Sequence, residues 1–390
     1  MENKGLSRIK VLHIHTRGVI GGSGTNTLLT MQGMPKDKYI SELACGSEGP
    51  LVEAAKKDNL TLSIIPHLQN RINIFYDLLA LFELIALINK KEYKIVHTHN
   101  SKAGILGRLA ANICCVPAII HTQHSCVFKY GTLNYFQRKF YYFLEKISAK
   151  FTDKIIYISH FLKREFIDAN IGSEKNSVVI YSGIVLKKFA MKVGVLEKNE
   201  LLGLRRDEFI VGIVSRLEPG KGNEFIIKAI PKIIQEIPNI KFVFVGDGIL
   251  RNYLEELAES LGVQEKVLFL GLRDDVFDLL QMFDIVCLAS LYEGMGRVLL
   301  EAQAAGRPVV ATRIGGIVDI VKDGKTGLLI PPKDVNSLAE AIIRLAQDRH
   351  LRTQMSEEAR RFVDYRFSSA KMVVDIFNVY EELVLKKIKL

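Results

Sequence analysis

Cysteine is scarce in this chain and carries no pattern. The five residues Cys45, Cys114, Cys115, Cys126 and Cys287 are odd in number and show no Cys-x-x-Cys or Cys/His spacing. A disulfide scaffold and a structural zinc site are thereby disfavoured, and a reducing cytoplasm is the expected compartment. No signal peptide is legible, since Met1 to Lys10 is polar and runs straight into an apolar strand. The longest apolar stretch, Ile74 to Asn89, contains Asp77 and Glu83 and falls short of the ~20 residues a bilayer span requires. Short repeats and low-complexity segments are also missing. A soluble protein is expected. Its 390 residues, 48% hydrophobic and 25% charged, are too apolar for a disordered chain and long enough for two domains.

Charge is unevenly spread. The net +10 divides into +12 from Met1 to Val195 and −2 over the remainder. A basic half beside a neutral half points either to a solvated basic surface or to an anionic partner for the first half: a phosphorylated ligand, a nucleic acid or an anionic membrane.

β-rich runs alternate with amphipathic stretches along nearly the whole chain. In the first half the strands read Ile9–His15, Glu42–Gly46, Leu62–Ile65, Ile95–His99, Ala118–Gln123, Lys154–Ser159 and Val178–Tyr181. In the second they read Phe209–Ser215, Lys241–Gly246, Val267–Leu270, Ile285–Leu288, Pro308–Thr312 and Thr326–Ile330. Such alternation predicts parallel sheets covered by helices, and one sheet of all these strands would be unusually wide. Two Rossmann-like domains are expected, 1–184 and 185–370, with a boundary near Gly183–Leu204. The stretch from Leu338 to Leu390 reads as helical, broken near Tyr365–Ser368, and its part from about 371 is expected to pack back on the first domain.

Several loops could carry chemistry. Arg17-Gly-Val-Ile-Gly-Gly22-Ser-Gly24 follows the first strand and opens a helix, where free N–H groups suit an anion. It lacks the GxGxxG fingerprint, and Cys45-Gly46 stand where a ribose-binding acid would end the second strand, so NAD binding is disfavoured. Histidines 13, 15, 97, 99, 121 and 124 cluster near strand ends. His97 and His99 share one strand face, yet no acidic cluster accompanies them to complete a metal site. His124, just past a strand, is placed to accept a proton or bond a sugar hydroxyl.

In the second half, Arg216 and Lys221 lie five apart on a glycine-bearing turn, a spacing that suits two phosphates; the loop lacks the ending of a P-loop. Glu293-Gly294-Met295-Gly296-Arg297-Val-Leu-Leu-Glu301 pairs two carboxylates, which accept hydrogen bonds from sugar hydroxyls, with a turn offering backbone N–H groups. Gly246-Asp247-Gly248 follows another strand.

Together these motifs, with Ala302-Gln-Ala-Ala-Gly306, Gly315-Gly316, Gly327-Leu328-Leu329, Val96-His97-Thr98-His99-Asn100-Ser101 and His121-Thr-Gln-His124, resemble retaining glycosyltransferases of family 4, in the subgroup that builds bacterial surface glycans. The resemblance covers nearly the whole chain. It implies a GT-B fold, two Rossmann-like domains facing across a cleft, the first binding acceptor and the second a nucleotide-sugar donor. It further implies that Arg216 and Lys221 hold the donor diphosphate and that Glu301 binds ribose hydroxyls. Glu293 and the backbone of Gly294, Met295 and Gly296 would hold the sugar, the turn around Gly271 and Leu272 would contact the base, and Gly246 would belong to the donor site. Gly22 and Gly24 would close over the phosphates, and His124 would contact the sugar. Three departures stand out: Ser182 and Val185 replace an Asn and an Asp, Asp319 replaces a Glu, and Arg297 adds a charge beside the turn.

The expected reaction is metal-independent transfer, with retention, from a UDP-sugar to a hydroxyl acceptor such as a lipid-linked glycan, without a cofactor. A UDP-sugar 2-epimerase is the nearest alternative, testable as ManNAc formation from UDP-GlcNAc alone. A non-catalytic nucleotide-sugar-binding protein is the other, distinguished by donor hydrolysis. On a helix from Leu133, Phe136, Phe140, Phe143 and Ile147 share one face while Arg138 and Lys146 lie elsewhere. That face either packs on a core or rests on an anionic leaflet as a peripheral membrane contact. Nucleic acid fits less well than lipid.

Overall fold

A computed structural model of the chain describes residues 8–130, 133–190 and 202–388. They form two compact units, Met1–Gly183 with Ser369–Leu390, and Ile184–Ser368. The stretch Leu186 to Glu200, read as part of the boundary, lies partly outside the described residues.

Unit 1 begins with β1 (Ile9–His15), α1 (Gly22–Gly33), β2 (Tyr39–Cys45), α2 (Pro50–Lys57) and β3 (Thr61–Ile64). It continues through α3 (Ile74–Lys91), β4 (Ile95–His99), α4 (Ser101–Ile113), β5 (Ala118–Gln123), α5 (Tyr135–Ala149), β6 (Lys154–Tyr157), α6 (His160–Asp168) and β7 (Ser177–Val179). Unit 2 holds α7 (Leu186–Ala190), β8 (Phe209–Val214), α8 (Asn223–Glu236), β9 (Ile240–Val245), α9 (Arg251–Ser260), β10 (Val267–Gly271) and α10 (Val276–Met282). It then runs through β11 (Ile285–Leu288), α11 (Arg297–Ala304), β12 (Val309–Thr312), α12 (Ile317–Ile320), β13 (Gly327–Ile330), α13 (Val335–Gln347) and α14 (Arg349–Phe362). The chain then returns to unit 1 as α15 (Ser369–Lys387).

Both sheets are wholly parallel, ordered β3-β2-β1-β4-β5-β6-β7 and β10-β9-β8-β11-β12-β13. Alternation along each strand feeds two cores. Val11, Ile95 and Ile120 pack with Met372, Ile376 and Tyr380 of α15. Leu12, Ile14, Val96 and Ile119 pack instead with Ala80 and Leu84 of α3 and Ala103 and Ala110 of α4. This split follows from the right-handed crossover: strand order reverses between β1 and β4, so successive helices change face there. Asn73 caps α3 by accepting from the Phe75 and Tyr76 N–H groups, and Asn134 forms a capping box with Gln137 at the start of α5. The C-terminal helical stretch carries a second break besides the one near Tyr365. Asp348 ends α13 and its side chain accepts from the Leu351 N–H to start α14.

Candidate functional site

In unit 2 the order of strands reverses between β8 and β11, the switch point at which open α/β sheets bind ligands beyond the strand carboxyl ends. The loops after these strands carry the residues singled out above. Lys221, after β8, donates to Glu293 Oε1 at 2.6 Å, and the same carboxylate oxygen accepts from Ser290 Oγ at 2.8 Å. Three residues from two loops thus form one cluster. The ammonium spends one of its three N–H donors there.

Backbone contacts fix that carboxylate. The Glu293 carbonyl accepts from the Gly316 N–H at 3.0 Å, and Gly315 lies so close (φ +51°) that a Cβ would meet the Glu293 carbonyl oxygen at 2.0 Å. Gly296, at φ +81°, turns the chain into α11. Gly294, Met295 and Gly296 are all buried, so the turn sits beneath the surface of unit 2. Arg216 is half exposed and paired with Glu218 at 2.7 Å, outside the Lys221 cluster. Gly246 and Gly271 are joined by a backbone hydrogen bond of 2.8 Å, with Leu272 projecting into solvent beside them.

Arg297 lies 3.3 Å from Glu301, one turn along α11. The charge that departs from the family pattern therefore stands beside the carboxylate assigned to ribose. Burial pushes the Glu301 carboxyl up, against the pull of Arg297 and Lys188. Ser182, another departure, accepts from buried Asn26 Nδ2 at 3.1 Å within unit 1 and is a packing residue.

In unit 1 the histidines collect at the corresponding switch point, where His13 of β1 stands in register with His97 of β4. Ring nitrogens of His13, His97 and His99 lie within 4.8 Å of one another, close enough for a shared ion. Those nitrogens are, however, engaged with neighbours: His13 with His99 at 3.2 Å, His97 with Tyr380 and Thr122 at 2.7 Å each, and His99 with His124 at 3.4 Å. His15 bonds Ser23 of α1 and Asn100, tying the glycine loop to this row. Gly22 is exposed at the start of α1, with open space where a Cβ would stand; Gly24 is buried, and its Cβ would meet the Val19 carbonyl at 2.7 Å. Tyr380 and Ser290 are the participants that motif reading passed over. Nothing in their local sequence marks them.

Burial lowers the pKa of His13 and His124 to about 3 and of His15 to about 4, and His97, His99 and His121 fall well below the usual value. These rings are neutral when folded. The unfolded chain binds more protons than the folded one below pH 6.5, so stability rises with pH through that window. It is fully present above pH 6.5 and lost as pH falls toward the folded values. At pH 5.5 a ring that stays neutral forfeits about 1.4 kcal/mol, hence about 4 kcal/mol for His13, His15 and His124 together. Urea midpoints measured from pH 7.5 to 5 are expected to fall accordingly, with a smaller slope in His13→Asn.

Residues 20–188 match the family Glycosyltransferase Family 4, and residues 197–362 match Glycosyl transferases group 1. The chain belongs to the family 4 glycosyltransferases, with the two parallel Rossmann-like sheets of the GT-B fold. It is 33% identical over 385 residues to the UDP-Gal:alpha-D-GlcNAc-diphosphoundecaprenol alpha-1,3-galactosyltransferase of Escherichia coli, covering 98% of this chain and 99% of that one. The capsular polysaccharide biosynthesis glycosyltransferase CapM of Staphylococcus aureus is 29% identical, over 84% of this chain and 87% of its own. Among solved structures, Anabaena HepE in complex with UDP-glucose superimposes with a TM-score of 0.82 at 22% identity, over 96% of this chain and 100% of that one, a likeness of fold. The protein is a glycosyltransferase of bacterial glycan synthesis acting on a sugar nucleotide.

Proposed function

We propose that the enzyme moves a hexose from a UDP-sugar to a hydroxyl of a lipid-linked glycan, with retention at the anomeric carbon and without a metal ion. The observation that carries this reading is the cluster of Lys221, Glu293 and Ser290 at the unit 2 switch point, beside the Gly294–Gly296 turn. The leaving group is a diphosphate, whose developing charge is the main electrostatic demand of the reaction. Lys221, Arg216 and the turn's amides meet it as fixed donors. Glu293 and Glu301 accept from sugar and ribose hydroxyls. With no evident nucleophilic carboxylate in the first half, attack comes from the face the diphosphate leaves, and the diphosphate takes the acceptor's proton. The names of the E. coli and HepE relatives, which mention UDP-Gal and UDP-glucose, support a UDP donor.

The cytoplasmic face of the membrane is the proposed place of work, with α5 resting on it. Lipid, rather than nucleic acid, is the partner of the basic half. A panel of UDP-, GDP- and ADP-sugars tested by thermal shift is expected to show stabilisation by UDP-sugars alone, since bound ligand raises apparent stability. Transfer is expected to survive EDTA, because cationic side chains do the work that an Asp-x-Asp motif, missing here, does through a divalent ion. Loss with EDTA and rescue by Mg²⁺ or Mn²⁺ would overturn the metal-free mechanism.

A further inference from the structure

We propose that α3 and α5 together form a two-helix surface that docks on an anionic lipid bilayer, α3 entering the acyl boundary with apolar side chains and α5 meeting the headgroups with aromatic rings and cations. This rests on the reading of a membrane-borne acceptor above. It adds a second helix and gives each helix a distinct part.

The aromatic face of α5 does not pack on the core. Phe136 of α5 is 80% exposed, and Tyr135, Phe140 and Phe143 are each more than half exposed. On α3 the first two turns leave Ile74 70% and Phe75 76% exposed, followed by Leu78, Leu79 and Phe82 on the same side. Single exposed apolar residues are ordinary, but ten on neighbouring helices, counting Ile147, make a patch of the kind that marks an interaction surface. The helices are neighbours: both pack on α4, and the Asp77 charge on α3 reaches the Tyr141 phenol on α5.

Charge selects the occupant. The one acid on α5, Glu145, is buried and held by Arg108 at 2.6 Å. Every charge that α5 turns outward is therefore positive: Arg138, Lys139 and Lys146, with Lys150 at its end. On α3, Asp77 is paired with Lys102 at 2.6 Å, and Glu83 is turned aside into a hydrogen bond with His67 Nδ1 at 2.6 Å. A second copy seated symmetrically would bring like cations together. An anionic leaflet meets both the cations and the apolar stripe. Among the described residues no helix is long and apolar enough to cross the bilayer, so contact is at the surface.

The full chain is sedimented with phosphatidylethanolamine/phosphatidylglycerol vesicles and with phosphatidylcholine vesicles, at low salt and at about 0.5 M NaCl. Wild type is expected to bind the anionic vesicles, more weakly but measurably at high salt. Lys139→Ala and Lys146→Ala are each expected to weaken low-salt binding about 5-fold. Phe75→Ser/Phe82→Ser is expected to lose binding at both salts. Equal recovery on both lipids, none on either, or unchanged binding by the double serine variant would overturn the proposal. So would a wild-type dimer that the serine variant dissolves, which would assign the face to a second copy. Stabilisation by UDP, measured in parallel, reports the donor site alone. It is expected to be unchanged in every variant, which also shows them folded. Its absence in wild type would sink the UDP-donor reading and leave the vesicle result standing.

Discussion

Replacing Lys221 with alanine is expected to lower turnover by on the order of 10²–10³, the usual consequence of losing an oriented transition-state donor. Lys221 is held against Glu293 before any substrate arrives, so its charge needs little reorganisation when the diphosphate departs. The substitution also leaves a largely buried carboxylate with Ser290 as its remaining side-chain partner, which lowers stability. The variant Lys221→Ala/Glu293→Gln separates the two effects: stability is expected to recover while turnover does not. Arg216→Ala is expected to impair transfer severely as well, and to leave the melting temperature nearly unmoved because its ion pair is half exposed. Near-wild-type transfer by both single variants would overturn the diphosphate assignment.

The largest expected loss of stability lies in unit 1. Arg108 of α4 and Glu145 of α5 are both 1% exposed; the guanidinium donates to Glu145 Oε2 at 2.6 Å and to the Gly104 carbonyl at 2.8 Å. Removing one partner from a buried pair strands the other charge in a medium that solvates it poorly, at a cost of about 3–5 kcal/mol. Arg108→Ala should lower the unfolding free energy of unit 1, measured by urea titration, by about that amount. Replacing both residues with apolar side chains of similar volume should restore most of it. A small effect of Arg108→Ala would show that water reaches the pair.

Strands β1, β4, β5 and β11 coincide with their sequence reading to the residue, because short apolar runs that end in polar turns leave little choice of limits. The C-terminal helices were harder. Asp348 is one more polar residue in an amphipathic pattern, and only its cap geometry makes it a break. Residue types at the candidate site were legible through motif spacing, whereas the partnership of Lys221 with Glu293 joins positions 72 apart. Tyr380 reaches His97 from 283 residues away without any local signal. Periodicity placed Phe136, Phe140 and Phe143 on one face of α5 but carries no information on what covers that face. The same holds for α3, whose apolar run reads equally well as buried.

The return of α15 to unit 1 sets an order of biosynthesis. Unit 2 is contiguous in the chain, and its ends meet where the Ile184 N–H donates to the Phe367 carbonyl at 2.9 Å. All of its strands are available before α15 has been made. Unit 1, although all seven strands of its sheet emerge first, lacks Met372, Ile376 and Tyr380 until the ribosome has passed the whole of unit 2. On the nascent chain the apolar face of its sheet, with His13 and His97, waits uncovered while a second domain is synthesised. The usual sequence in which the leading domain folds first is therefore expected to be inverted, with an interval in which a chaperone would have an open sheet to guard.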